Sequence, residues 1–218
     1  MSKKNWRVIP EHPWYDILRY TNCQFCPKFP ALQEVTKNMT EEEKEEGKTP
    51  VFIEHFPPEY AGDGKRIMLV GESPGHWEMC HFKPFVGRAG QILRNALRTL
   101  GYVRKEPPII RMLITNSVKC RCVGPPHVEI MSHCSGALAK EAELFSPDLI
   151  IALGKTAFHA LTDKGLEHLL GENRKKHFEY RGFPVRLTYH PAAALRNVNH
   201  KISLYQDLRN YLNWILRS

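Results

Sequence analysis

The stretch Ile67-Met68-Leu69-Val70-Gly71-Glu72-Ser73-Pro74-Gly75 decides how this chain is read. Four apolar residues in a row, ended by a turn with Gly71, Pro74 and Gly75, describe a buried strand. The run stops at Gly71, so Glu72 is delivered to the rim of a sheet, in a tight turn whose backbone amides can face a ligand. Ten residues on, Phe85-Val86-Gly87-Arg88-Ala89-Gly90 offers an aromatic face and opens a helix. A carboxylate, backbone amides and a ring on one rim suit a flat, polar, ring-shaped substrate. An ordinary strand-to-helix turn with an exposed Glu72 would share much of this pattern, so the neighbouring rims matter.

Outward from this stretch the pattern stays regular. Helices are predicted over residues 90–100, 129–145, 154–161 and 203–216, and strands over 109–114 and 149–153. Residues 178–180 and 185–188 read as a hairpin or two short strands. Strands alternating with helices imply an α/β fold, a three-layer α/β/α arrangement around a central, largely parallel four-stranded sheet. Ligands in such folds bind beyond the carboxyl ends of the strands. Three segments meet that condition: Gly71–Gly75, Thr115–Cys122 and Tyr189–Asn197. In the second, Asn116 carries both a donor and an acceptor and can read a base edge with two hydrogen bonds. In the third, His190 can donate to developing negative charge, while Leu195 and Arg196 suit a wedge and a phosphate contact.

The 218 residues suit one domain, read as 1–218 with a distinct amino-terminal segment of about 65 residues. A formal charge of +8 favours a polyanionic partner. The run Thr40-Glu41-Glu42-Glu43-Lys44-Glu45-Glu46-Gly47 reads as a solvated surface segment. No apolar core of signal-peptide length follows Met1, and no segment approaches a membrane span, so an intracellular protein is expected. There, six cysteines are metal ligands or thiols rather than disulfides. Cys23 and Cys26 form a chelating pair. Cys120 and Cys134 lie far downstream, with Cys122 between them. Two thiolates from each region would close a tetrahedral zinc site or hold an iron–sulfur cluster.

The ordered set Cys23-x-x-Cys26, Gly71-Glu72-Ser73-Pro74-Gly75, Lys83 to Gly90, Thr115 to Cys120, Cys134, and His190-Pro191 through Leu195-Arg196-Asn197 resembles the uracil-DNA glycosylase superfamily. It is most similar to the family 4 enzymes, which carry a [4Fe–4S] cluster. The resemblance implies a monofunctional hydrolase that flips uracil out of DNA, single- or double-stranded, and leaves an abasic site. By position, Phe85 would stack on the base and Asn116 would bond its N3–H and O4. Amides around Glu72 and Ser73, with His190, would bind O2. Glu72 would orient water and support the sugar cation, and Glu78 would stand against C5. Cys23, Cys26, Cys120 and Cys134 would hold the cluster, with zinc as the alternative. Lys83, Arg88, Lys119, Arg121, Leu195 and Arg196 would meet DNA. The implied partner is DNA, and the expected state is a monomer.

Ser73 departs from the family's usual small residue after the motif Glu, which leaves a preference for hypoxanthine or xanthine as an alternative. A non-catalytic, metal-stapled nucleic-acid-binding module is a third reading: it keeps the cysteines and the basic charge and needs neither Glu72 nor Asn116. The Arg121-Cys122-Val123-Gly124-Pro125-Pro126-His127 segment also differs from the family pattern. His127 lies where one related subfamily traps the abasic sugar, but the basic insert of that subfamily is absent.

Overall fold

Strands β2 (Lys65–Gly71), β3 (Ile110–Asn116) and β4 (Leu149–Leu153) are built from the apolar runs and form the middle of a six-stranded sheet. The computed structural model describes residues 53–56, 64–81, 83–101, 110–122, 124–163, 174 and 176–218. Cys23, Cys26, the acidic run at 40–47 and most of the amino-terminal segment lie outside the described residues.

The sheet order is β1-β3-β2-β4-β6-β5, with β1 at Ile53–Phe56, β5 at Phe178–Tyr180 and β6 at Phe183–Thr188. The expected four parallel strands are β3, β2, β4 and β6. An antiparallel strand then extends each edge, β1 against β3 and β5 against β6. The sequence reading did not include β1, whose four residues, Ile53-Glu54-His55-Phe56, are too few to display a period.

Alternation along the central strands sends side chains to two separate cores. Ile67, Leu69, Ile110, Met112, Ile114, Leu149, Ile151 and Leu153 face one layer, with Leu93 and Leu97 of α2 (Arg88–Thr99) and Leu204, Leu208 and Leu212 of α6 (Val198–Ile215). Met68, Val70, Leu113, Ile150 and Ala152 face the other. They meet Leu138 and Phe145 of α3 (Val128–Phe145) and Phe158 and Leu161 of α4 (Lys155–Thr162). Each fully buried aliphatic side chain contributes ~1.5–3 kcal/mol, so this two-sided burial fixes the register. Two short helices complete the order, α1 (His76–His81) after the Glu72 turn and α5 (Pro191–Ala194) after His190.

β2 pairs with β3 on one side and with β4 on the other. The chain therefore reverses its direction across the sheet at β2, and the carboxyl ends of the strands there are where ligands bind in sheets of this kind. Gly71 lies opposite Asn116, Val70 opposite Ala152, and Leu153 opposite Thr188. The three rims singled out in the sequence thus end on one edge of the sheet. Asn116 is the last residue of β3, which runs two residues further than the apolar pattern indicated.

Candidate active site

The Asn116 carboxamide and the Phe85 ring meet over Gly71. A Cβ built on Gly71 would overlap both Asn116 Oδ1 and the tip of the Phe85 ring. The Phe85 and His190 rings lie 5.9 Å apart, tilted by 40°. An aromatic ring, a carboxamide and an imidazole therefore converge from three separate segments at the switch point. Phe85 takes a left-handed backbone, φ 56°, which is costly for an aromatic residue and persists only where its surroundings hold it. Arg94 does so from α2: its Nε donates to the Phe85 carbonyl at 2.8 Å and its Nη2 to the Pro84 carbonyl at 2.8 Å.

The Glu72 turn is stitched to the end of β3. Ser117 N donates to the Gly71 carbonyl at 2.9 Å, Val118 N to the Glu72 carbonyl at 2.9 Å, and Ser117 Oγ to the same Glu72 carbonyl at 2.9 Å. The partly buried Glu72 carboxylate accepts a 2.6 Å hydrogen bond from Thr156 Oγ1 on the first turn of α4. Ser73, next in the turn, is partly exposed.

His190 caps α5: its Nδ1 accepts from Ala192 N at 3.1 Å. Burial, with the nearby Arg196 charge adding to it, lowers its pKa to about 4. The ring is therefore neutral near pH 7, and with Nδ1 accepting, its proton sits on Nε2 as a donor. The chain leading to His190 is braced from α6. Thr188 Oγ1 donates to Asp207 Oδ2 at 2.6 Å, and Arg174 grips the same carboxylate with two 2.8 Å bonds.

The remaining residues divide between surface and interior. Lys83, Arg88, Arg121 and Arg196 are exposed, and Leu195 is 44% exposed despite being apolar. Lys119 corrects its assignment as a phosphate contact. It is fully buried, with Nζ 2.7 Å from both oxygens of Glu141, 2.9 Å from Thr115 Oγ1 and 2.8 Å from the Asn116 carbonyl. Burial pushes the Glu141 pKa up, opposed by Lys119 and Thr115. Glu78 is tied to the loop backbone around the Phe85 turn. One carboxylate oxygen accepts from Gly75 N at 3.1 Å and the other from Gly87 N at 2.7 Å, which makes it a brace between the two ends of the loop.

Cys120 and Cys134 are buried thiols, not disulfide-bonded. Cys134 packs with Val118, Ile130 and Met131, and Cys122 lies against that group. Among the described residues no three His, Cys, Asp or Glu form a metal-binding group. The described residues thus supply two soft thiol donors of the expected four. Buried cysteines suit a thiolate-ligated centre, and the completing pair, Cys23 and Cys26, lies outside the described residues.

Thr156, Arg94 and Glu141 were not singled out in the sequence. Glu141 carried a readable signal. It falls on the α3 stripe shared by Cys134, Ala137, Leu138, Ala142 and Phe145, where an acidic residue must have a buried partner.

Fold and rim together define a class: three-layer α/β/α proteins with an aromatic ring, a carboxamide and an imidazole gathered at the switch point of a largely parallel sheet. The sequence model of the uracil DNA glycosylase superfamily matches residues 57–212, and the chain belongs to that superfamily. It is 36% identical over 140 residues to the type-4 uracil-DNA glycosylase of Thermotoga maritima, covering 63% of this chain and 70% of the relative. It is 33% identical over 168 residues to the type-4 enzyme of Saccharolobus solfataricus, covering 72% and 75%. A type-5 uracil-DNA glycosylase of Pyrobaculum aerophilum is 30% identical over 211 residues, 88% of each chain. Glycosylase-like chemistry is the coarse reading that membership supports. No helix among the described residues is long and apolar enough to cross a membrane.

Proposed function

We propose that the protein releases uracil from DNA by hydrolysing its N-glycosidic bond, leaving an abasic site. The observation that carries this reading is the meeting of Asn116 and Phe85 over Gly71, with His190 beside Phe85. That slot has an aromatic face, a paired donor and acceptor, and a neutral imidazole donor.

A flipped uracil stacks on Phe85, and the Asn116 carboxamide bonds N3–H and O4. His190 Nε2–H and the amides around Glu72 and Ser73 are aimed at O2. As the C1′–N1 bond breaks, its electron pair goes to the uracil ring, and charge grows on O2. Donors placed there stabilise the transition state more than the ground state. The sugar gains cationic character, which the Glu72 carboxylate supports. Glu72 also orients the water whose oxygen bonds to C1′; the water's proton passes to the Glu72 carboxylate and on to solvent, and the released uracil anion takes up a proton from solvent. Lys119, sequestered by Glu141, offers no amine for covalent attack, in keeping with a monofunctional hydrolase.

Cys23, Cys26, Cys120 and Cys134 would hold a [4Fe–4S] cluster, with zinc as the alternative. When bound, the group would tie the segment bearing Cys23 and Cys26 to the loop after Asn116, a structural role outside bond cleavage. Lys83, Arg88, Arg121 and Arg196 would meet phosphate, and Leu195 would enter the vacated stack. Ser73 sustains a second reading, in which hypoxanthine or xanthine is the preferred base.

Oligonucleotides bearing uracil, hypoxanthine or xanthine, treated with the protein and then hot alkali, test both. Strand scission at uracil is expected, reduced at least ~100-fold in Glu72→Ala and in Asn116→Ala. Faster scission at hypoxanthine or xanthine transfers the reading to those bases. No scission on any substrate, with DNA binding retained, leaves the non-catalytic module.

A further inference from the structure

We infer that the turn joining β4 to α4 positions the chemistry of the rim, and that Thr156 holds the Glu72 carboxylate in its working orientation. The inference rests on the reading of Glu72 as the group that orients water. Thr156 Oγ1 donates to Glu72 Oε2 at 2.6 Å across 84 positions of sequence, and Thr156 is 5% exposed. The same turn touches the other side of the site. Gly154 has φ +86°, and a Cβ there would come within 2.7 Å of His190 Cβ. Gly154 N also donates to the Thr188 carbonyl at 2.8 Å. One short turn therefore abuts both Glu72 and His190, which arrive from strands on opposite sides of β4.

The physical need is plain. A glutamate side chain has several rotatable bonds, and fixing it costs on the order of 1–2 kcal/mol of entropy. Threonine is β-branched and stiff, so it loses little on making the bond. The first turn of α4 adds partial positive charge, which favours an ionised carboxylate beside it. Thr156 engages one carboxylate oxygen and leaves Oε1 as the one to meet the water. With the carboxylate released from Thr156, Phe85, Asn116 and His190 would still bind the base, but the water would be misplaced. Loss of the bond should therefore appear in kcat rather than in KM.

Thr156→Val and Thr156→Ala remove the hydroxyl with different packing, and Thr156→Ser keeps it. On the full chain with its cofactor, uracil release by both hydroxyl-free variants should fall at least ~10-fold in kcat. KM and melting temperature should stay unchanged, and the serine variant should return to within about twofold of wild type. Independently of activity, the ¹³Cδ resonance of Glu72, assigned with Glu72→Gln, should move in the valine variant and return in the serine variant. Wild-type kcat in Thr156→Val and Thr156→Ala overturns the inference, as does an unmoved Glu72 resonance. If the wild-type protein releases no base at all, the proposed function fails, and the resonance alone still decides whether Thr156 holds the carboxylate.

Discussion

Burial and the Arg196 charge hold the His190 imidazole at a pKa of about 4, so the ring stays neutral far below the pH at which a solvated histidine charges. Two consequences follow at the scale of this residue. Its Nδ1 lone pair is already taken by Ala192 N–H, so the Nε2 proton is fixed in place without a carboxylate partner having to hold it. The second consequence is for stability. Between about pH 4 and the unfolded value near 6.5, the unfolded chain binds the proton and the folded chain does not. The His190 contribution is therefore complete above about pH 6.5 and is lost as the pH falls toward 4. His190→Asn should lose less stability over that window than wild type, as read from urea midpoints at a series of pH values. Parallel losses in the two proteins would show that His190 is solvated and titrates normally.

Among the elements, β3 and α3 are held together at a point that neither reveals by itself. Lys119 follows the end of β3, and its ammonium sits fully buried between Glu141, Thr115 and the Asn116 carbonyl. The pair anchors the backbone of the residue that faces the slot. Removing one partner strands the other charge, so Lys119→Met should cost about 3–5 kcal/mol. The double variant Lys119→Met, Glu141→Met should recover much of that loss, because burying two ions offsets most of what their attraction gains. Denaturant midpoints of wild type and both variants check this, and equal loss in the single and double variants would refute the pairing argument. The same example shows where sequence reasoning runs out. β2, β4 and α3 were legible because long apolar runs and a helical stripe declare themselves within a window of residues. Asn116 and His190 were legible as strand-end polar residues. Lys119 read as a basic loop residue because its partner lies 22 positions away in a helix. Thr156 went unread for the same reason, and β1 because a strand of four residues shows no period. Local patterns display burial, whereas partners chosen by packing appear only once the layers are assembled.

For the whole molecule, each of the three segments that converge on the candidate site also presents an exposed arginine. Arg88 opens α2 directly after the Phe85 turn, Arg121 follows the Asn116 segment, and Arg196 ends the turn after His190; all three are exposed. Basic groups placed on the three converging segments match a phosphate backbone crossing the mouth of the slot better than a net charge spread evenly. Each phosphate neutralised releases counterions, so the log of the binding constant falls with log salt by ~0.9 per contact on duplex DNA and ~0.7 on single strands. Arg88→Ala and Arg196→Ala should each flatten that slope by roughly one contact, and together by roughly two. Lys119→Met should leave it unchanged, since its ammonium faces Glu141 and not solvent. Fluorescence anisotropy on uracil-free DNA at several salt concentrations makes the comparison without any dependence on base release. An unchanged slope in the Arg88→Ala, Arg196→Ala double variant would place the DNA path away from these segments. A slope that flattens in Lys119→Met would mean that the buried pair opens when DNA binds.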